Sequence, residues 1–344
     1  MKTSRVLKVM LQMTALVAAL GGTGRLAAAP NEAFLGRWAL TIPNGAAGWL
    51  EIKKEKGYYD GAILWGGGSV VPVSSVVISD DTLIVTRTSN VERKDAAGKV
   101  VRTQQFTEAI TAKLVGGDTL KLTRVAPKTN GTGYDSAEFS GQRIPALPPR
   151  PDLAKVKFGA PLALFNGQNL SGWKAKETTM VSAWSVEAGV LTNRPPKREP
   201  GKPAKRTANL RTEREFEDFN LTLEVNVPAG SNSGVYLRGI YEIQVVDSFG
   251  KALDTHNMGA LYSRIKPAVA AEKKAGEWQT MDITLVDRHV TVVLNGTKII
   301  DNQPALGCTG GAMWSDESKP GPLYLQGDHG EVLYRNLVLK PVVK

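Results

Sequence analysis

Three short segments of alternating apolar and polar residues, all within Asn220–Asp247, constrain the fold more than any other feature of the chain. Apolar residues occupy every second position in Leu221–Val227, and the alternation continues in Val235–Arg238 and Glu242–Val245. Because successive side chains of a strand point to opposite faces, the pattern predicts three successive strands with one apolar and one polar face. The predicted polar face carries Glu224, Asn226, Tyr236, Arg238, Glu242 and Gln244. This mixture of donors and acceptors suits sugar hydroxyls, so we predict a carbohydrate site here; an ordinary solvated sheet face is the alternative.

The composition favours an all-β protein that is long enough for two domains. The chain has 344 residues, including 35 Gly and 19 Pro, and its short runs rich in Val, Ile and Thr are typical of strands. No long segment shows helical periodicity. The formal charge is +10, but part of it lies in the N-terminal leader and most other basic residues are scattered among acids. We therefore predict no nucleic-acid surface.

Residues 1–29 have the features of a signal peptide. A basic start precedes the apolar segment Val9–Leu20, which is too short to span a bilayer, and small residues follow at Ala27–Ala29. We expect a periplasmic or secreted protein without a membrane span. Cys308 is the only cysteine, so the chain cannot form an intramolecular disulfide.

The rest of the chain divides at a proline-rich connector. Short alternating runs separated by turn signals predict that residues 30–125 form a small antiparallel β-barrel or meander. Its opening, Gly36-Arg37-Trp38, resembles the Gly-x-Trp start of lipocalin-like barrels, in which the Trp plugs one end. Residues 126–157 are predicted to be a Pro- and Gly-rich linker. The many short strands predicted for residues 158–344 favour a two-sheet jelly-roll sandwich.

Motifs spread over this second domain resemble, in the same order, those of the 3-keto-disaccharide hydrolase family. They include Leu164–Gly167, Leu170–Trp173, Asn232–Val235, Glu242–Asp247 and Leu325–Gly330. The resemblance implies a fold similar to the concanavalin A-like lectin/glucanase jelly roll, with the site on its concave sheet. It also implies a substrate class, namely glycosides and disaccharides whose C3 hydroxyl has been oxidised to a ketone. Some members of the family act as lyases or hydratases, and the resemblance does not assign roles to residues.

The implied substrate determines the chemistry that is needed. A ketone at C3 acidifies the hydrogen on C2; a base removes it, the enolate expels the group at C1, and water adds to the unsaturated sugar. The candidate acid and base groups are Glu242, Asp247 and His329. The candidates for holding the substrate are Glu224, Asn226, Tyr236, Arg238, Gln244 and Gln326. A divalent metal ion would also stabilise an enolate, but no spacing resembles a metal motif, so its ligands stay unknown.

Two other functions remain open from the sequence. A direct glycosidase of the glucanase type would need Glu242 and a second carboxylate about 5 Å apart for retention, or farther apart for inversion. The series Glu242-x-Gln244-x-x-Asp247 has an amide where such glucanases carry an acid, which argues against this function. A non-catalytic, lectin-like carbohydrate-binding protein would explain the polar face without any titratable pair. For Asp247 and His329, a structural role in a turn is the competing interpretation.

Overall fold

The computed structural model describes residues 32–43, 45–196 and 206–343. The predicted signal peptide lies outside these residues. In the described part of the chain the secondary structure is almost entirely β, and its only helix in the element order is a 3-10 turn at Glu32–Phe34. No described helix has the length and hydrophobicity of a membrane span.

The first unit is a single antiparallel sheet that curls into a barrel, as predicted. Among the described residues its strands are β1 (Gly36–Thr41), β2 (Ala47–Glu55), β3 (Tyr58–Trp65), β4 (Val71–Pro72), β5 (Ser75–Ser79), β6 (Thr82–Lys94), β7 (Val100–Val115), β8 (Thr119–Pro127) and β9 (Tyr134–Arg143). The sheet order is β4-β3-β2-β1-β9-β8-β7-β6-β5. The two edge strands, β4 and β5, are consecutive in the chain. Between them the amide of Val73 donates to Gly61 of β3 (3.0 Å) and that of Ser74 to Thr86 of β6 (2.8 Å), which joins the two edges.

Apolar side chains fill the interior of this barrel. Trp38 is fully buried among them, its Nε1 donates to the carbonyl of Phe34 at 3.0 Å, and the guanidinium of Arg143 lies 4.1 Å from the centre of its ring. The other members of the core include Leu40, Ile42, Leu50, Ile52, Ile63, Leu83, Val85, Ile110, Leu120 and Leu122. The barrel therefore has a packed core of its own.

The barrel extends beyond the boundary predicted at residue 125. Strand β9 lies inside the predicted 126–157 linker and pairs with both β1 and β8. Only Gly141 of this strand is buried, and Phe139 is its one large apolar side chain that packs against the barrel core. The apolar alternation is therefore too short to identify the strand from the sequence. The segment 144–157 contains no strand and matches the predicted connector.

The second unit is a jelly roll of two antiparallel sheets, as predicted. In the described residues the eight-stranded sheet has β10 (Leu162–Ala163), β12 (Trp184–Glu187), β13 (Val190–Asn193), β15 (Phe219–Asn226), β18 (Trp278–Val286), β19 (His289–Leu294), β20 (Thr297–Pro304) and β22 (Val332–Pro341). The five-stranded sheet has the order β11 (Trp173–Ala175), β14 (Leu210–Phe216), β21 (Gly321–Leu325), β16 (Asn232–Leu237) and β17 (Tyr241–Val246). Apolar residues of both sheets belong to one buried cluster.

The three segments that opened the sequence analysis do not form one face. Strand β15 pairs with β18 and β22 in the eight-stranded sheet, whereas β16 and β17 pair with each other in the five-stranded sheet. Alternation identifies which side of a strand is apolar, but it does not specify the sheet. Both sheets turn their apolar sides toward the shared core, so a strand in either sheet has the same sequence pattern.

The barrel packs directly on the jelly roll. Trp49 of β2 belongs to the buried cluster of the jelly roll, and the guanidinium of Arg264 lies 4.3 Å from the centre of a Trp49 ring. A Cβ at Gly307 would lie 2.2 Å from Nε1 of Trp49, so this close approach requires glycine. Ser315 adds hydrogen bonds of 2.9 Å to the backbone of β1 and β2. The two units thus share buried surface, and the barrel is held in a defined position beside the five-stranded sheet.

Candidate active site

A cavity of about 490 Å³ lies over the five-stranded sheet; we call it the central cavity. Tyr236 of β16, Glu242 of β17 and Tyr324 of β21 line it. These three residues are direct neighbours in the strand register, so their side chains form one row across the same face of the sheet. Asp328 and His329, which follow β21, stand beside this row. The barrel contributes the turn Gly66, Gly67 and Gly68 to the opposite wall.

Glu242 is the carboxyl at the centre of this row. It is only 3% exposed, and the hydroxyl of Tyr236 donates to its Oε2 at 2.7 Å. Burial raises the pKa of Glu242 to about 7, although the Tyr236 hydrogen bond and the charge of His329 oppose the rise. A Cβ at Gly234 would lie 2.3 Å from Oε1, so the glycine makes room for the carboxyl. A carboxyl with a pKa near neutrality can both accept and return a proton at physiological pH.

Two stacked phenols form the floor beside Glu242. The rings of Tyr236 and Tyr324 are parallel to within 11°, with their centres 3.9 Å apart. The hydroxyl of Tyr324 donates to the carbonyl of Gly311 at 2.6 Å. Burial raises the pKa of both phenols well above the usual range. They therefore stay protonated and act as hydrogen-bond donors at neutral pH.

His329 and Asp328 form a charged pair at the edge of the cavity. Nδ1 of His329 lies 2.7 Å from Oδ1 of Asp328. This hydrogen bond raises the pKa of His329 against the effect of partial burial. Burial disfavours the ionised form of Asp328, but the hydrogen bond and charge of His329 outweigh it and lower the Asp328 pKa. Because Nδ1 is engaged by Asp328, a proton transfer by His329 would use Nε2.

A second polar network supports the same wall of the cavity. The ammonium of Lys176 lies 2.6 Å from Oε1 of Glu177 and 5.5 Å from the centre of the Tyr324 ring. Glu177 accepts from the amide and the side chain of Asn209 at 2.9 and 3.1 Å. Asn209 in turn accepts from the amide of Gly327 at 2.8 Å. The network thus connects Lys176 to the segment that carries Asp328 and His329.

A family model described as a 3-keto-alpha-glucoside-1,2-lyase-like domain matches residues 161–340, which is more than half of the 344 residues. The chain belongs to this family. Membership indicates a glycosyl hydrolase-like enzyme, and the matched range includes all of the polar side chains just described. None of the curated proteins matches the chain.

Solved structures similar to this chain include three from Parabacteroides distasonis ATCC 8503, each provisionally assigned as a glycosyl hydrolase. The first is 20% identical, covers 54% of this chain and 100% of its own length, and has a TM-score of 0.42. The second is 25% identical, covers 57% of this chain and 94% of its own length, and has a TM-score of 0.42. The third is 24% identical, covers 53% of this chain and 100% of its own length, and has a TM-score of 0.39.

The jelly roll brings some of the predicted site residues together. Tyr236, Glu242, Gln326 and His329 all line the central cavity. Gln244 lines an adjoining cavity of about 280 Å³. The proximity of these residues follows from the β16–β17 hairpin and from the pairing of β16 with β21. Their chemical roles stay predictions.

Two predicted substrate-binding residues lie on the other sheet. Glu224 of β15 accepts from Arg335 at 2.8 and 2.6 Å and from Asn336 at 2.6 Å. Asn226 of the same strand donates to the carbonyl of Gly276 at 2.5 Å. The expectation that these two residues share a sheet face with β16 and β17 is wrong because β15 belongs to the eight-stranded sheet.

Arg238 and Asp247 lie near the expected strands but have structural contacts. Arg238 is 3% exposed, and its guanidinium donates to the carbonyls of Lys319 (3.0 Å) and Glu317 (2.7 Å). The side chain of Asp247 accepts from the amide of Gly230 at 2.9 Å, which fixes a turn. Neither residue lines the central or the adjoining cavity, so the structure does not bring them together with Glu242 and His329, and their site roles stay predictions.

Sequence reasoning missed Lys176, Glu177, Asn209 and the Gly66–Gly68 turn. No local pattern marks these residues, and all of them come from segments far along the chain from β16 and β17. In residues 32–43, 45–196 and 206–343, no three His, Cys, Asp or Glu side chains are arranged to hold a metal ion. The ligands of the divalent ion that the substrate chemistry allows therefore stay unknown.

Proposed function

We propose that this protein is an exported enzyme that cleaves 3-keto-glycosides, including 3-keto-disaccharides, by elimination followed by hydration. The observation that supports the proposal most is the buried carboxyl of Glu242, with a pKa of about 7, in one cavity with the His329–Asp328 pair. Family membership supports the substrate class. The leader-like residues 1–29 support export to the periplasm or the medium.

In the first step Glu242 acts as the base. Its ionised form takes the proton from C2, and the electrons of the C2–H bond move toward the C3 oxygen as an enolate. Lys176 lines the same cavity; its ammonium is paired with Glu177 but has further N–H groups that can donate to the enolate oxygen. The low polarity around a carboxyl that is 3% exposed raises its basicity, as removal of a carbon-bound proton requires.

In the second step His329 acts as the acid. Asp328 raises the pKa of His329, so the ring is more readily protonated near neutral pH than an isolated histidine. Nε2 gives its proton to the C1 oxygen as the C1–O bond breaks, and a C1=C2 double bond forms. The products are a free alcohol and an unsaturated 3-keto sugar.

Hydration reverses the two roles. Neutral His329 accepts a proton from water as the water oxygen adds to C1. Glu242, which holds the former C2 proton or one exchanged with solvent, protonates C2. Both residues return to their starting states, and the net reaction is hydrolysis of the glycosidic bond. The same pair thus accounts for lyase and hydrolase outcomes, which differ only in whether water adds before the product leaves.

The proposal is tested by comparing 3-keto-trehalose and 3-keto-cellobiose with their unoxidised parents, with and without EDTA. We expect cleavage of the keto sugars alone. Glu242→Gln and His329→Gln should each lower kcat by roughly 10²- to 10⁴-fold. Glu224→Gln, a matched change on the other sheet, should leave kcat unchanged. Cleavage of the parent sugars would assign the protein to the direct glycosidases, and sugar binding without any cleavage would indicate a lectin-like protein.

A further inference from the structure

A second cavity of about 280 Å³ adjoins the central cavity along the five-stranded sheet; we call it the side cavity. Asn232 and Tyr262 line both cavities. Gln244 lines the side cavity and follows Glu242 by two positions in β17. Side chains two positions apart on a strand project from the same face, about 7 Å from each other. A ligand longer than one sugar ring can therefore extend from Glu242 toward Gln244.

Two amides of the side cavity have unpaired polar atoms. Within the described residues, Oε1 of Gln244 and Nδ2 of Asn257 are buried and have no hydrogen-bond partner. Each residue is only 2% exposed. The Asn257 side chain is oriented by the amide of Asp254, which donates to its Oδ1 at 2.7 Å. Buried polar groups are nearly always paired, so an acceptor and a donor left unpaired beside one cavity indicate a ligand with hydroxyl groups.

The barrel holds the outer wall of this cavity in place. Oγ of Ser69 lies 2.9 Å from Nε2 of His256, and the amide of Val70 donates to Oγ of Ser263 at 2.7 Å. The His256 ring meets the Tyr262 ring edge to face, with the centres 4.9 Å apart. These contacts fix the 254–263 loop against the sheet, so the wall is formed before any ligand binds. Such preorganisation lowers the cost of binding.

We propose that the side cavity is a second sugar-binding subsite, which takes the leaving ring of a two-ring 3-keto-glycoside. A hydroxyl of that ring donates to Gln244 and accepts from Asn257, as a sugar hydroxyl can. The unpaired groups are neutral amides, and Lys251 and Asp254 contribute opposite charges to the lining, so the expected ligand is an uncharged polyol. The identity of the ring in the central cavity rests on the proposed function.

Ala252→Trp tests the subsite sterically, because Ala252 is exposed and lines the side cavity. Gln244→Leu removes the hydrogen bonds, and Ala96→Trp on the exposed turn between β6 and β7 is the matched control. The two-ring substrate is 3-keto-trehalose and the one-ring substrate is the 3-keto form of methyl α-glucoside. Both test variants should lose roughly tenfold or more in kcat/KM on the two-ring substrate. Their kcat/KM on the one-ring substrate should equal that of the wild type. Equal losses on both substrates, or no loss, would overturn the subsite.

A failure of the proposed chemistry is distinguishable from a failure of the subsite. If the wild-type protein turns over neither keto sugar, the proposed function fails, and calorimetric binding of trehalose and methyl α-glucoside decides on the subsite. Weaker trehalose binding by Ala252→Trp, with methyl α-glucoside unaffected, would support the subsite. Trehalose binding that is absent in the wild type, or unchanged in the variant, would refute it.

Discussion

Replacing Glu242 with Gln should stabilise the protein at alkaline pH, although it removes a buried hydrogen-bonded residue. Burial raises the pKa of this carboxyl from 4.5 to about 7. Between these two values the unfolded chain has lost the proton while the folded chain still holds it. The wild-type protein therefore loses stability as the pH rises through this window, and the loss is complete above the folded pKa.

The size of the effect follows from the pKa difference. A rise from 4.5 to about 7, at about 1.4 kcal/mol per unit, corresponds to about 3 kcal/mol of unfolding free energy. Gln has the same shape and carries no charge at any pH, and its carbonyl can still accept from Tyr236. The stability of Glu242→Gln minus that of the wild type should therefore increase by about 3 kcal/mol between pH 4 and pH 8.

Urea denaturation of both proteins at several pH values measures this difference, because the midpoint and slope give the unfolding free energy. Glu224→Gln is the control with the opposite sign. The Asn336 hydrogen bond, aided by Arg335, outweighs the opposing effect of burial and lowers the pKa of Glu224, so its ionised form stabilises the fold. That contribution is present above pH 4.5 and is lost as the pH falls through the folded pKa. A difference between Glu242→Gln and wild type that is constant or decreases from pH 4 to pH 8 would refute the reasoning.

Two further predictions concern the cavity. The pH profile of kcat/KM should be bell-shaped, rising through about pH 7 as Glu242 ionises and falling as His329 loses its proton; Asp328→Asn should shift the falling limb to lower pH, and an unmoved limb would contradict the role of the pair. Gly311→Ala would place a Cβ 2.4 Å from the hydroxyl that bonds to Glu242, so thermal unfolding should show a loss of about 1–3 kcal/mol and kcat should fall. Gly159→Ala, where the nearest atom is 3.4 Å away, is the control and should change neither quantity.

The sequence predicted the parts of the fold that depend on side-chain alternation. The β16–β17 hairpin was predictable because Val235, Ile243 and Val245 alternate with polar residues, and its register pairs Tyr236 with Glu242. The sheet that a strand joins was not predictable, because β15 shows the same alternation toward the same core. Strand β9 was missed because Phe139 is its one large apolar residue against the barrel core, and its pairing with β8 cannot be recognised from the segment alone.

The candidate site was predictable only where its residues are neighbours in sequence or in one hairpin. Long-range packing brings the Gly66–Gly68 turn to the cavity, where a Cβ at Gly310 would lie 2.2 Å from the carbonyl of Gly68. Nothing in either segment alone indicates that contact. The pKa of Glu242 depends likewise on burial by the whole sheet, which a single strand pattern does not specify.

Deuterium incorporation tests the elimination mechanism most directly. The protein is incubated with 3-keto-trehalose in D₂O, and the released 3-keto-glucose is analysed at once by NMR beside a sample incubated without enzyme. Removal of the C2 proton by Glu242 and its return after exchange with solvent predict deuterium at C2, formed faster than in the control and lost in Glu242→Gln. Cleavage that leaves hydrogen at C2, and that is not slowed when the starting 3-keto-trehalose carries deuterium at C2, would show that the C1–O bond breaks without elimination and would contradict the account.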